Sequence, residues 1–418
     1  MNMKSPPSPR SWLSLARVFL PFAFGYFLSY IFRVVNAVIA PSLASDLGLD
    51  PSRLGLLTSA YFLTFAAFQL PLGLLLDRYG PRRIEAILLL FAAIGALVFA
   101  RAESLTGLVL GRALIGLGVS ACLMAAFKAF VLWFSPARLP FVNGLQMVSG
   151  GLGAMTATAP VAALLAVTDW RGVFTLLAFL SLLAAVVIFS VVPERKQKEA
   201  APDLQLQLQG IATVFGSPLF WRIAPWTIAS QATFLAIQGL WAGPWLRDVA
   251  GLDGPAAARV LLLIAVTMVA GFFLFGVVSE RLGRRGVPLM TVAAFGMGTF
   301  MLVQLLLALV GSRFSSPLWL LFGFFGTASI LPYAVLSQSF GSQLAGRANT
   351  GLNLLVFVAA FAAQWGIGSV ISLWPGTAAG TYAATGYRAG FALMLALQSA
   401  ACLWFLASGI KGRPIVSK

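Results

Sequence analysis

Arg33 stands in the run Tyr26-Phe-Leu-Ser-Tyr30-Ile-Phe-Arg33-Val-Val-Asn36, inside a long apolar stretch. Tyr26, Tyr30 and Arg33 are four and three residues apart, a spacing that puts side chains on one face of a helix. Asn36 follows one turn later, near the same face. Two phenols, a guanidinium and an amide in line make little sense against hydrocarbon. Facing a water-filled cavity, they make a binding surface for an anion. A second deep cation, Lys128, lies in Phe127-Lys128-Ala-Phe-Val-Leu-Trp133-Phe134. Charges inside apolar spans are costly and mark functional sites. Two more basic residues fall inside such runs. Arg222 is one turn from an end and is expected to snorkel. Arg112 is 16 residues before Lys128, so at about 100° per residue the two side chains point about 160° apart. A straight helix does not aim both into one cavity. Lys128 is therefore assigned to a ligand, and Arg112 to structure or gating.

The second half of the chain offers no comparable deep charge. It offers Gln231, Gln238 and Trp245 at intervals of seven, with Trp241, Gly243 and Pro244 nearby. Tyr333 follows Pro332, and Asn353 and Gln364 come later. Each alone reads more readily as an interhelical hydrogen bond. Together with the two cations they predict an asymmetric site, with charge from one half and aromatic and amide groups from the other. Pro244 is expected to break or kink its helix. The chain has no histidine, so imidazole ligation and imidazole proton relays are excluded. No nucleophile elbow, phosphate loop or metal spacing is present; no enzyme activity, metal or cofactor is expected. The acids nearest the apolar runs, Asp77, Asp248 and Glu280, sit at their ends. Span interiors are thus expected to lack a proton-carrying carboxyl, which favours anion exchange or uniport.

The elements that position these residues follow from composition. Of 418 residues, 60% are hydrophobic and only 10% charged, and the mean hydropathy is +0.92. Soluble domains carry roughly 25% charged residues, so lipid must be the solvent for much of this chain. A crossing helix needs about 20 apolar residues. Twelve runs fit, at 15–41, 53–77, 84–101, 105–134, 138–167, 171–193, 219–248, 255–281, 287–311, 316–343, 347–374 and 386–410. Of the 28 basic residues, 17 fall on one side of these spans, seven on the other and four within them. That asymmetry is the positive-inside rule and places both termini in the cytoplasm. It also accounts for the net charge of +16 without a nucleic-acid partner. The densest charge lies at 194–218, dividing the chain into an N-terminal half (1–193), a cytoplasmic linker and a C-terminal half (219–418). Within the linker, Leu204-Gln-Leu-Gln-Leu-Gln209 reads as a short interfacial helix or a plain connection. The N-terminus has no cleavable signal. Cys122 and Cys402 lie in apolar runs and suggest no disulfide framework. Gly144, Gly150, Gly151 and Gly153 crowd the fifth span, where small residues let helices approach closely, with a sliding contact between the halves as the sharper reading.

Two loops repeat. Gly73-Leu-Leu-Leu-Asp77-Arg78-Tyr79-Gly80-Pro81-Arg82-Arg83 returns 203 residues later as Gly276-Val-Val-Ser-Glu280-Arg281-Leu282-Gly283-Arg284-Arg285. This loop resembles the signature between helices two and three of the major facilitator superfamily, and the resemblance extends over almost the whole chain. It implies an all-α membrane protein with twelve transmembrane helices in two pseudo-symmetric six-helix halves that work by alternating access. It also implies gating roles for Asp77, Arg78 and Arg82, with Glu280, Arg281 and Arg285 as a second latch. Gly111-Arg112-Ala-Leu-Ile-Gly116-Leu-Gly118 is similar to the superfamily's fourth-span arginine motif. Arg33 with Asn36, and Lys128 with Trp133 and Phe134, resemble the organic-anion symporter branch, where both basic residues contact a substrate carboxylate. That branch places an acid beside the first-span arginine; here the neighbour is Phe32. The fifth span lacks the Gly-Pro pair of the antiporter signature. The resemblance implies a secondary active or facilitative transporter of a small organic anion, a monomer in the bacterial inner membrane with no nucleic-acid partner. An efflux antiporter for amphiphilic compounds is the alternative, and a non-transporting membrane sensor is a third reading.

Overall fold

The structure is a computed structural model that describes residues 15–134, 139–194, 204–310, 315–376 and 381–410. Among the described residues, 10 helices are long and apolar enough to cross a membrane. The more polar helix Pro51–Tyr79 and the interrupted helix over 218–248 complete the twelve. One end of the bundle carries both repeated loops and is called the basic end here.

Helix starts at the opposite end are fixed by side chains. Asp50, Asp169 and Asp253 accept the backbone N–H of Arg53, Gly172 and Ala256, at 2.8, 2.8 and 2.7 Å, and Ser104 accepts that of Gly107 at 3.2 Å. Each satisfies an orphan donor, and the acids also complement the helix dipole. Two of these caps belong to a second internal echo. Gly48-Leu49-Asp50 and Gly251-Leu252-Asp253 are the same tripeptide, 203 residues apart. In both, the glycine takes positive φ, 58° and 68°, which only glycine adopts without strain. The halves therefore share a corner as well as a loop.

Several spans are broken where the site lies. The first turns at Val35, between Leu20–Val34 and Asn36–Leu47. The fourth breaks between Leu105–Val119 and Cys122–Trp133, separating Arg112 from Lys128. The seventh passes through a π-turn at Ile237–Trp241 before Ala242–Asp248. The Pro244 ring would crowd the carbonyl four residues back, at Leu240, so the helix widens just ahead of the proline. The helical run Leu331–Ile371 holds both the tenth and eleventh spans. Asn349 donates to the Ser337 hydroxyl at 2.8 Å. Twelve residues of straight helix would rise about 18 Å, so the run folds back on itself between them. Residues Leu204–Phe215 form a helix.

Packing follows the membrane logic. Gln304 and Gln398 exchange amide hydrogen bonds at 3.2 and 2.9 Å, joining the ninth and twelfth spans through fully buried side chains. On the outer face of the ninth span, Phe295, Leu302 and Leu309 recur every seven residues and are exposed, as lipid-facing side chains are. In the fifth span, a Cβ on Gly150 would lie 2.6 Å from Tyr26 and 2.8 Å from Tyr30, while one on Gly151 would meet Val269 of the eighth span at 2.5 Å. The glycine cluster thus serves both close packing and a contact between halves.

Candidate functional site

Arg33 lies at the seam between the halves. Its guanidinium carbon is 4.7 Å from the Tyr30 ring, 5.5 Å from Phe65 and 5.4 Å from Phe357. Tyr30 and Phe65 come from the first and second spans, Phe357 from the eleventh. Phe65 and Phe357 stack on each other with centroids 4.3 Å apart, so one aromatic pair joins the halves over the cation. Among the described residues no carboxylate lies within ion-pair distance of Arg33, and its buried Nε has no hydrogen-bond partner. Cation–π contacts replace a counter-ion here. Tyr26 and Tyr30 pack edge to face, 5.2 Å apart, completing the expected stripe. Asn36 is buried, and its Oδ1 has no partner among the described residues.

Beyond Arg33, towards the end opposite the basic loops, direct contacts join the halves, with clefts of about 510 and 710 Å³ between them at that end. Gly239 and Gly243 of the seventh span press on the backbone carbonyls of Arg33 and Ala37. Gln364 donates to the Thr58 hydroxyl at 2.7 Å, and Trp241 donates to the Gln364 carbonyl at 2.9 Å. Ser52 and Ser369 share a hydrogen bond at 3.1 Å. Tyr382 donates to the Leu49 carbonyl at 3.4 Å while Asp248 holds the Tyr387 hydroxyl at 2.7 Å.

Towards the basic end the halves part around a cavity of about 280 Å³. Its walls are Gln69, Leu72, Gly73 and Leu76 of the second span and Met124 and Lys128 of the fourth. Ile211, Gly346, Arg347, Thr350 and Gly351 close the other side. Phe65, Gln69, Leu72 and Leu76 share a helix face, and so do Thr350 and Phe357. The aromatic pair over Arg33 is therefore the inner end of this cavity, about one helical turn (~5.4 Å) beyond Gln69.

The sequence-derived residues divide accordingly. Lys128 lines the cavity, and Arg33 lies just behind its inner end. Arg112 is buried apart from both, donating to the Phe32 carbonyl at 3.1 Å and resting 5.1 Å from the Tyr61 ring. It braces the first span. Trp241 and Trp245 are buried, Trp241 in the seal and Trp245 against Trp319 at 5.3 Å, so in this state neither faces the cavity. Gln238 donates to the Met268 sulfur at 3.2 Å, Tyr333 donates to Asn353 at 3.3 Å, and the Gln231 Oε1 is buried without a partner among the described residues. Arg222 stacks on Phe405 at 5.3 Å and its Nε is buried; this differs from simple snorkelling to water.

The repeated loops are tied within each half. Arg82 donates to the Phe189 carbonyl at 2.8 Å, and Arg82 and Arg83 both reach Glu194. Arg78 lies over Tyr79, and Glu280 pairs with Arg284 on its own helix. The side chain of Asp77 lies outside the described residues. Arg281 and Arg285 stand on the exposed basic end.

One expectation is overturned. Glu85 lies one turn into the third span and is completely buried, so span interiors do hold a carboxyl. It packs against Gly25 of the first span and Cys122 of the fourth, and neither oxygen meets an N–H or O–H donor among the described residues. It falls inside the run 84–101, close to its start, and helix phase turns it inward. Arg347, one of the charges of the basic end, also lines the cavity.

Residues 22–364 match the sequence profile of the Major Facilitator Superfamily. The chain belongs to that superfamily. It is a multi-pass membrane protein and not an enzyme. It is similar to a probable sulfoacetate transporter of Cupriavidus necator, 28% identical over 276 residues, which are 62% of this chain and 64% of that relative. A hexuronate transporter of Bacillus subtilis is 24% identical over 274 residues, again 62% and 64% of the two chains. The alignments thus span somewhat under two thirds of these relatives. In fold it is similar to a bacterial homolog of the human lysosomal transporter Spinster, solved inward-facing and unoccupied. The TM-score is 0.80 at 18% identity, covering 97% of this chain and 100% of that one.

Proposed function

We propose that this chain carries a small organic anion across the bacterial inner membrane by alternating access, with Arg33 and Lys128 as anion contacts. The observation that carries the reading is Arg33 itself. A permanent cation sits at the seam of two moving halves, on ring faces from both, with no carboxylate in ion-pair reach among the described residues. Half-burying a charge in this way carries a desolvation cost that a ligand anion offsets. The named substrates of the two relatives, sulfoacetate and a hexuronate, are organic anions. The basic end faces the cytoplasm by the positive-inside rule, which makes this the inward-open state. The two six-helix halves rock about Arg33. The loops of Asp77, Arg78 and Arg82, and of Glu280, Arg281 and Arg285, re-pair across the cytoplasmic side in the opposite state, while Arg112 keeps its brace on the first span.

The test is flux into proteoliposomes of sulfoacetate and glucuronate, for the wild type and for Arg33→Ala and Lys128→Ala. Both variants are expected to express and to lose flux. Wild-type flux in both variants places the site elsewhere. An exporter of amphiphilic compounds is the second reading, favoured by the apolar walls Leu72, Leu76, Met124 and Ile211. Movement of a lipophilic cation with no movement of either anion supports it instead.

A further inference from the structure

The open cavity presents a second cation that the anion site at Arg33 does not use. Lys128 enters from the N-terminal half, Arg347 from the C-terminal half, and no described lining residue is acidic. Among the described residues no carboxylate lies within ion-pair distance of Arg347. The remaining polar lining, Gln69 and Thr350, can accept or donate. The position of Arg347 is built rather than incidental. Its guanidinium lies across Gly210 of the linker helix Leu204–Phe215, where any side chain's Cβ would collide with it. Gly210 is buried beneath it.

We propose that Arg347 is an anion-binding residue and that, with Lys128, it makes this cavity a site for a small organic dianion. The assignment rests on the anion-transport reading above and narrows it. The planar guanidinium takes one carboxylate or sulfonate through two parallel hydrogen bonds. The Lys128 ammonium takes the other anionic group. A dianion so held bridges the halves across the open cavity and draws them together. A monoanion satisfies one cation only and does not bridge.

The experiment measures binding of sulfoacetate, a dianion, and glucuronate, a monoanion, to purified full-length protein by calorimetry. Wild type is compared with Arg347→Ala, Arg347→Lys, Gly210→Ala and Arg33→Ala. Arg347→Ala is expected to weaken sulfoacetate at least about tenfold and glucuronate less than about threefold. Arg347→Lys is expected to fall between wild type and Arg347→Ala. Gly210→Ala keeps both charges and displaces the Arg347 side chain from its Cδ to its guanidinium, so it is expected to weaken sulfoacetate in the same direction. Unchanged sulfoacetate affinity in Arg347→Ala and Gly210→Ala overturns the proposal. So does a wild type that binds glucuronate but not sulfoacetate, or an Arg347→Ala that loses both anions equally. If Arg33→Ala loses both anions while Arg347→Ala loses neither, this inference falls and the anion-transport reading stands. No binding of either anion to wild type removes both.

Discussion

Replacing Arg33 separates the energetics of the empty carrier from those of the loaded one. In the empty state the guanidinium rests on three rings, at 4.7, 5.4 and 5.5 Å. Each cation–π contact contributes about 0.5–1 kcal/mol, so the three together offset roughly 1.5–3 kcal/mol of the desolvation cost. Arg33→Ala removes the cost and most of its compensation at once. The unliganded protein is therefore expected to melt within a few degrees of wild type. Binding is different, because an anion exchanges ring contacts for a charged hydrogen bond of about 1.5–3 kcal/mol. Losing that bond lowers affinity roughly 10- to 150-fold, since about 1.4 kcal/mol is tenfold. Arg33→Lys keeps the charge but not the planar stack and is expected to fall between. Thermal melting of purified protein, with and without saturating sulfoacetate or glucuronate, reads both quantities together. An Arg33→Ala variant that gains as much ligand stabilisation as wild type refutes the reasoning.

Three further expectations concern the surroundings. Phe357→Ala removes one half of the aromatic pair that closes the inner end of the cavity; anion association, followed by stopped-flow tryptophan fluorescence, is expected to accelerate. An unchanged rate would show that the pair is no barrier. Gln364→Ala breaks the 2.7 Å bond to Thr58 across the sealed end. Removing about 0.5–1.5 kcal/mol there shifts a two-state population roughly two- to tenfold towards the opposite opening, which spin-label distances across that end will show as a longer component or, if the seal lies elsewhere, will not. Glu85→Gln tests coupling. Glu85 is closed off from the cavity, so anion exchange in proteoliposomes is expected to stay within about twofold of wild type, on the scale of a single neutral hydrogen bond. Uphill accumulation driven by a pH gradient in wild type and absent in Glu85→Gln would make this carboxyl the proton carrier.

What the sequence determined by itself is what local rules govern. Apolar run length gave the spans, because a bilayer fixes how many apolar residues a crossing needs. The repeated loops at Asp77 and Glu280 gave the two related halves. The 4–3 spacing of Tyr26, Tyr30 and Arg33 gave the stripe, because a helix converts spacing into a face. The shared corners Gly48-Leu49-Asp50 and Gly251-Leu252-Asp253 were legible too, though they stand out only once their positive φ and capping bonds are seen.

Only the tertiary structure decided which polar residues meet. Phe357 is 324 positions from Arg33, and no spacing rule links residues so far apart. Trp241 lies in the seal rather than on the cavity because the π-turn ahead of Pro244 lies against the first span, and Gln364 of the eleventh span meets it there. Glu85 and Arg347 acquire their surroundings in one common way. Whether a charge near a span end is solvated depends on helix phase and on what packs there. For Glu85 that is Gly25, whose missing side chain leaves room for a carboxyl. For Arg347 it is Gly210, which gives a guanidinium a place to lie. Such vacancies are made by two helices meeting, and neither helix carries that information alone.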